Sequence, residues 1–263
     1  MEARRGRDPA RGSVRSTTAR PAISQKAGDA RVHSRPYDDD MPEREQAHPD
    51  DPLEQMFQRS DALHERLNEL LDDAAFDGSP RGEVALGMCV VAMGHATALR
   101  ALMALGMPTS AVSLMRLQFE ALTRAMWLIY AASDAAIEKL SAPLTLEAEQ
   151  AAKNLPSAKD MIDQMGKQVG HGVPAAAHQM LVQFKDVSWN AMNSFVYGGI
   201  HPLRRSAEGF PVHLALQVLR NSNGLTTMTG MTMAILTGDE AISRTMSNIQ
   251  PAFADCLPDL LKP

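Results

Sequence analysis

The feature that most constrains this chain is SAVSLMRLQFEALTRAMWLIYAA, residues 110–132, a helix-forming run that is apolar on nearly every side. Residues three and four apart share a helix face. Arg116, Glu120 and Arg124, spaced four and four, therefore make one charged seam, with Met115, Phe119, Leu122, Met126 and Trp127 on the other faces. A helix of that kind belongs inside a domain, so part of the seam is shielded from water. Ions removed from water cost several kcal/mol each unless paired, and Glu120 must pair with Arg116, Arg124 or both. Two readings follow: a structural ion network that fixes helix register, or a carboxylate and arginines lining a functional pocket.

The rest of the chain agrees with helix and nothing else. Aromatic residues make up only 5% of it, while Met reaches 17 of 263 residues. The core must be built from Ala, Leu and Met, which are good helix formers, and the β-branched and aromatic runs that suit strands are nearly missing. The expected fold is all-α. It is an antiparallel bundle of four long core helices (80–105, 109–132, 175–198 and 211–237), with flanking helices over 52–75 and 239–261.

Punctuation sets the boundaries. Asp50, Asp51 and Pro52 start the first helix, whose far face is heavily charged. Gly106, Met107 and Pro108 separate the second and third helices into an antiparallel hairpin, with Thr109 or Ser110 as the cap of the third. In the second helix Gly87, Gly94, Ala92, Ala96 and Ala98 permit close helix approach. Its uncharged run of sixteen residues, Val84 to Leu99, falls short of a membrane span, and His95 within it reads as a core histidine. Residues 133–173 are charged and broken by Pro143 and Pro156, which predicts an insertion of three short helices. Gly198 and Gly199 end the helix over 175–198, Pro202 prevents its continuation, and His201 sits just past its end.

Residues 1–47 are rich in Arg, Ser, Ala and Pro without apolar periodicity, so they are read as a disordered basic tail, with Met41 as an alternative start. Residues 48–263 are read as a single domain. Residues 1–35 carry a net +6 in a chain whose total is −5, leaving the remainder at −11. An acidic body argues against a broad nucleic-acid footprint, although the tail itself could contact nucleic acid. Cys89 and Cys256 are far apart and outside any C-x-x-C, which suits buried thiols in a reducing compartment. With no apolar leader near Met1, a cytoplasmic location is expected.

Several chemistries find no support. The sequence Glu45-x-x-His48, followed by Pro49, is unlike the core pairs of di-iron bundles. There is no H-E-x-x-H, P-loop, G-x-S-x-G or S-x-x-K, so neither a metal nor a cofactor is expected. What remains is convergence. Long helices could bring Arg116 and Glu120 to Asn190, Asn193, Tyr197, His201, Arg204 and Arg220. In a catalytic reading His201 is the acid/base, Arg116 stabilises phosphate charge and Glu120 orients Arg116. Asn190, Asn193, Tyr197, Arg204 and Arg220 then hold the ligand. The same residues serve equally as a hydrogen-bonded core network.

The stretches LMRLQFEALTRAMWLIY, WNAMNSFVYGGIHPL and LRNSNGLTTMTG resemble a family of uncharacterised bacterial helical proteins of unknown function over about 80–238. More distantly, an R-x-x-x-E helix with a later Y-x-x-x-H is similar to abortive-infection and HEPN-type helical proteins. That resemblance implies a dimeric protein acting on RNA or in phage defence. HEPN nucleases place a His four to six residues after an Arg. Within the expected helices such a pair is Arg59 and His64, which reads as an exposed pair on a solvated face, and Arg204 and Arg205 follow His201 instead of preceding it. Three functions stand: a HEPN-like protein acting on RNA; a non-enzymatic ligand-binding or regulatory module with a structural polar network; and a peripheral membrane or interaction protein, without a transmembrane span.

Overall fold

A computed structural model describes residues 51–259. The expected tail over 1–47 and the end of the last expected helix lie outside those residues. Among the described residues there is no β-strand, and the chain is all-α.

The third helix, α3 (Pro108–Tyr130), is the hub. Around it pack α2 (Pro80–Ala104), α9 (Val212–Thr237), α7 (Ala175–Val196) and α6 (Ala158–Gly166). The apolar run predicts this: Phe119, Leu122, Ala125 and Leu128 are completely buried. Proline begins α3 at its first position, so no Thr or Ser cap is used and Met107 occupies the N-cap; Pro supplies a preset φ where a donor is not needed. The α2 inner line is Ala85, Cys89, Ala92, Ala96, Leu99 and Met103, while Gly87, Gly94 and Ala98 face outward.

Helix α1 (Pro52–Leu71) is more than a flank. It lies on α9 with Leu63 and Leu67 fully enclosed, ending four residues earlier than its pattern suggests. Gly230 of α9 makes this contact possible, since a Cβ there would sit 2.8 Å from Leu67 Cδ2. The expected last helix is broken into α10 (Glu240–Met246), α11 (Ile249–Ala252) and a 3-10 turn, Ala254–Cys256. This segment locks onto α1. Arg59 donates to both carboxylate oxygens of Asp255 and to Ala252 O, and stacks over the Phe253 ring at 4.7 Å. Asn223 Nδ2 donates to Ser60 Oγ (2.8 Å) and to Cys256 O (3.0 Å), tying α9, α1 and the turn together.

Three short helices follow α3 over 134–166, with α4 (Asp134–Ser141), α5 (Leu146–Ala152) and α6 each opened by a Ser or Thr cap. Trp127 Nε1 donates to Gln164 Oε1 at 2.7 Å, which anchors α6 to α3. One element is unexpected. Gly198 adopts φ +68° and ends α7, but Gly199 then opens α8 (Ile200–Glu208). Pro202 is its third residue, in the first turn where a missing N–H is tolerated. His201 is therefore inside a helix, and its N–H is capped by Ser194 Oγ at 3.1 Å.

Candidate functional site

Two helices shape the candidate site. On α3, Arg116 Nε and Nη2 both donate to Glu120 Oε1, at 3.0 and 2.7 Å. The arginine side chain is only 11% exposed and the glutamate 32%. On antiparallel α7, Trp189, Asn193 and Tyr197 recur every four residues and so share a face. The Arg116 guanidinium lies over the Trp189 ring at 4.2 Å and the Tyr197 ring at 5.6 Å. Beneath it, Phe119 stacks on Phe184 and meets Trp189 edge-on. Rings on a guanidinium face repay part of its desolvation through cation–π attraction, while leaving its edge free for hydrogen bonds.

That edge is incompletely used. Arg116 Nη1 is closed off from solvent and has no acceptor among the described residues. The same holds for Arg124 Nε, two turns along the seam, and Asn193 Oδ1 is a buried acceptor without a donor. Glu120 engages Arg116 alone; among the described residues Arg124, only partly exposed, has no ion-pair partner. The seam thus holds two guanidinium groups against one carboxylate.

The other expected residues disperse. His201 is exposed, its ring stacked on Phe195 at 5.9 Å, and no hydrogen bond, ion pair or ring contact joins it to Arg116 or Glu120. Tyr197, one turn earlier in sequence, is what reaches the seam. Arg204 and Arg205 both pair with Glu208 on α8. Asn190 and Arg220 are exposed, the latter on α9. Two shallow depressions lie on the insertion, lined by residues such as Lys139, Thr145 and Asn154, and neither includes Arg116 or His201. Among the described residues no three His, Cys, Asp or Glu side chains are grouped to hold a metal.

The Arg59 and His64 pair is not what its spacing suggests. Arg59 is taken by Asp255. His64 is 7% exposed, not solvated, and its Nε2 has no partner among the described residues. Burial, with Arg100 nearby, pushes its pKa down to about 4. Both thiols are buried and free, and burial raises them, Cys89 to about 12 and Cys256 to about 11. They are too basic to act as nucleophiles.

The sequence also hid a buried polar joint. Gln118 is fully enclosed between α3 and α9. Its Nε2 donates to Ser222 O (3.0 Å) and Thr226 Oγ1 (3.2 Å), and Ser222 Oγ donates to Gln118 Oε1 at 2.7 Å. A lone amide three residues from Met115 and four from Leu122 was the available signal.

Residues 89–259 match the model of a family of unknown function, DUF6988. The chain belongs to that family. The matched region runs from the middle of α2 to the last described residue and takes in the whole Arg116 seam, α7 and α8, while Arg59 and His64 lie outside it. No curated protein and no solved structure matches the chain. The likeness to HEPN-type proteins therefore rests on the sequence motifs alone.

Proposed function

We propose that the chain is a non-enzymatic binding module, and that its ligand presents an anionic group, carboxylate or phosphate, to the α3–α7 seam. The observation that carries this reading is the unmatched positive charge. Among the described residues Arg124 has no anion, Arg116 keeps one enclosed N–H without an acceptor, and one carboxylate serves the whole seam. A buried donor left unsatisfied costs about 1–3 kcal/mol, and more when charged. An anion arriving at the seam relieves that cost at two points. Trp189 and Tyr197 supply flat surfaces beside it, and Tyr197 is 76% exposed, available to an incoming group. Catalysis by His201 lacks comparable support, because that ring is engaged with Phe195 rather than with the charged pair.

The test is thermal unfolding of wild type, Arg124→Gln and Tyr197→Ala with inorganic phosphate, pyrophosphate, citrate and a short single-stranded RNA. Ligand at about 100 times its Kd stabilises by roughly 2.7 kcal/mol, a rise of about 5–10 °C in Tm for a chain of this size. At least one anion should produce that rise in wild type and lose most of it in Arg124→Gln. If none does, or if the rise survives in both variants, the reading fails. Cleavage of the RNA by wild type and not by His201→Ala would replace it with the nuclease reading.

A further inference from the structure

The acceptor on the α3–α7 seam is as informative as its donors. Asn193 Oδ1 is closed off from solvent and receives no hydrogen bond among the described residues, just as Arg116 Nη1 gives none. Helical spacing brings the two to one level. Asn193 stands four residues after Trp189 and four before Tyr197, and the Arg116 guanidinium lies over both of those rings, at 4.2 and 5.6 Å. An arginine donor and an asparagine acceptor could satisfy each other, yet these two do not bond. A group that joins them must accept at the arginine end and donate at the asparagine end.

A bare carboxylate does not meet that requirement, because it offers lone pairs only. Set on Arg116 Nη1, it turns an acceptor toward the Asn193 acceptor, and that buried oxygen stays unsatisfied. An ammonium donor is disfavoured as well, since two guanidinium groups already stand against one carboxylate, Glu120, in this seam. A hydroxyl donates without adding charge. A phosphate suits the arginine end less well than a carboxylate. Glu120 already takes Nε and Nη2 of Arg116, so one nitrogen is left for three strong acceptor oxygens.

Taking the seam as the anion site proposed above, we infer that its ligand is a hydroxy acid, an organic acid with a hydroxyl beside a carboxylate. The carboxylate accepts from Arg116 Nη1 and the hydroxyl donates to Asn193 Oδ1, which makes Asn193 the residue that sets specificity. The acid enters past Tyr197, whose ring is 76% exposed and which directly precedes Gly198, at φ +68°, where α7 ends.

The test is isothermal titration calorimetry of the full chain with two pairs of acids that differ by one hydroxyl, malate against succinate and citrate against tricarballylate. Wild type should bind the hydroxylated member of each pair roughly ten- to a hundredfold more tightly. Asn193→Leu, with helix content checked by circular dichroism, should bring that ratio close to one while still binding the acids that lack the hydroxyl. Asn193→Ala serves the same purpose where the leucine variant does not fold. Arg124→Gln should weaken all four acids and leave the ratio as it was. Equal affinities within the wild-type pairs, or a ratio that survives at position 193, would overturn the hydroxy acid and leave the anion site standing. Binding of phosphate with none of the four acids would do the same. Binding of no anion at all would overturn both.

Discussion

Lowering the pH from about 7 to about 5 should destabilise this protein through one histidine. His64 is almost wholly buried in α1, and its pKa falls from an ordinary 6.5 to about 4. The cause is burial first and the charge of Arg100, itself held by Asp61 at 2.7 Å, second. Above about pH 6.5 the residue is neutral folded and unfolded, and contributes no pH dependence. Below that, the unfolded chain takes up a proton that the folded chain refuses, so the unfolded state gains and stability falls with pH until the folded side chain also titrates near 4. A displacement of about 2.5 pKa units is worth about 3 kcal/mol in full. Roughly 2 kcal/mol of it is lost between pH 7 and pH 5. Urea unfolding of wild type and His64→Leu at those two values measures it, because the variant keeps the carboxylate background and loses only the imidazole. Wild type should lose about 2 kcal/mol more than His64→Leu. Equal losses, or a His64 proton resonance titrating near 6.5, would refute the reasoning.

Two further perturbations test the packing. Gln118→Ala removes a buried amide with three hydrogen bonds spanning α3 and α9, and should cost about 2–4 kcal/mol by urea unfolding; a loss under 1 kcal/mol would show that the joint contributes little. Gly230→Ala puts a methyl 2.8 Å from Leu67 and should destabilise by about 1–3 kcal/mol, whereas Gly87→Ala meets nothing and should raise monomer stability by up to about 1 kcal/mol. Shifts of the same sign in both would contradict the assigned contacts.

The long helices were legible because their apolar residues recur at helical spacing and Gly–Met–Pro or Gly–Ser–Pro breaks separate them. The Arg116–Glu120 pair was legible for the same reason, since i,i+4 spacing needs no tertiary knowledge. Arg124's lack of a partner was not, because which of two arginines a central glutamate chooses depends on α7. Trp189 illustrates this: the fold sets it on the Arg116 guanidinium, a contact that spacing within α7 does not show. Helix α8 was hidden by reading Pro202 as a stop, when a first-turn proline needs no donor. His64 was misplaced because α1 looked like a surface helix with one apolar line. Its buried set is Met56, Ser60, Leu63, His64, Leu67 and Leu71, an ordinary stripe with two polar members. The burial of Ser60 was not legible because Asn223, which bonds it, lies 163 residues away.

The clasp between α1 and residues 252–256 has a consequence in time. Arg59 and Asp255 are separated by 196 residues. At a synthesis rate of roughly 5–20 residues per second, the arginine emerges on the order of 10–40 s before its carboxylate. Over that interval Leu63 and Leu67 also await Gly230, so the earliest described helix is made without its seat and spends the wait with its apolar side uncovered. Its charged far face is the side that α1 presents to water throughout that wait.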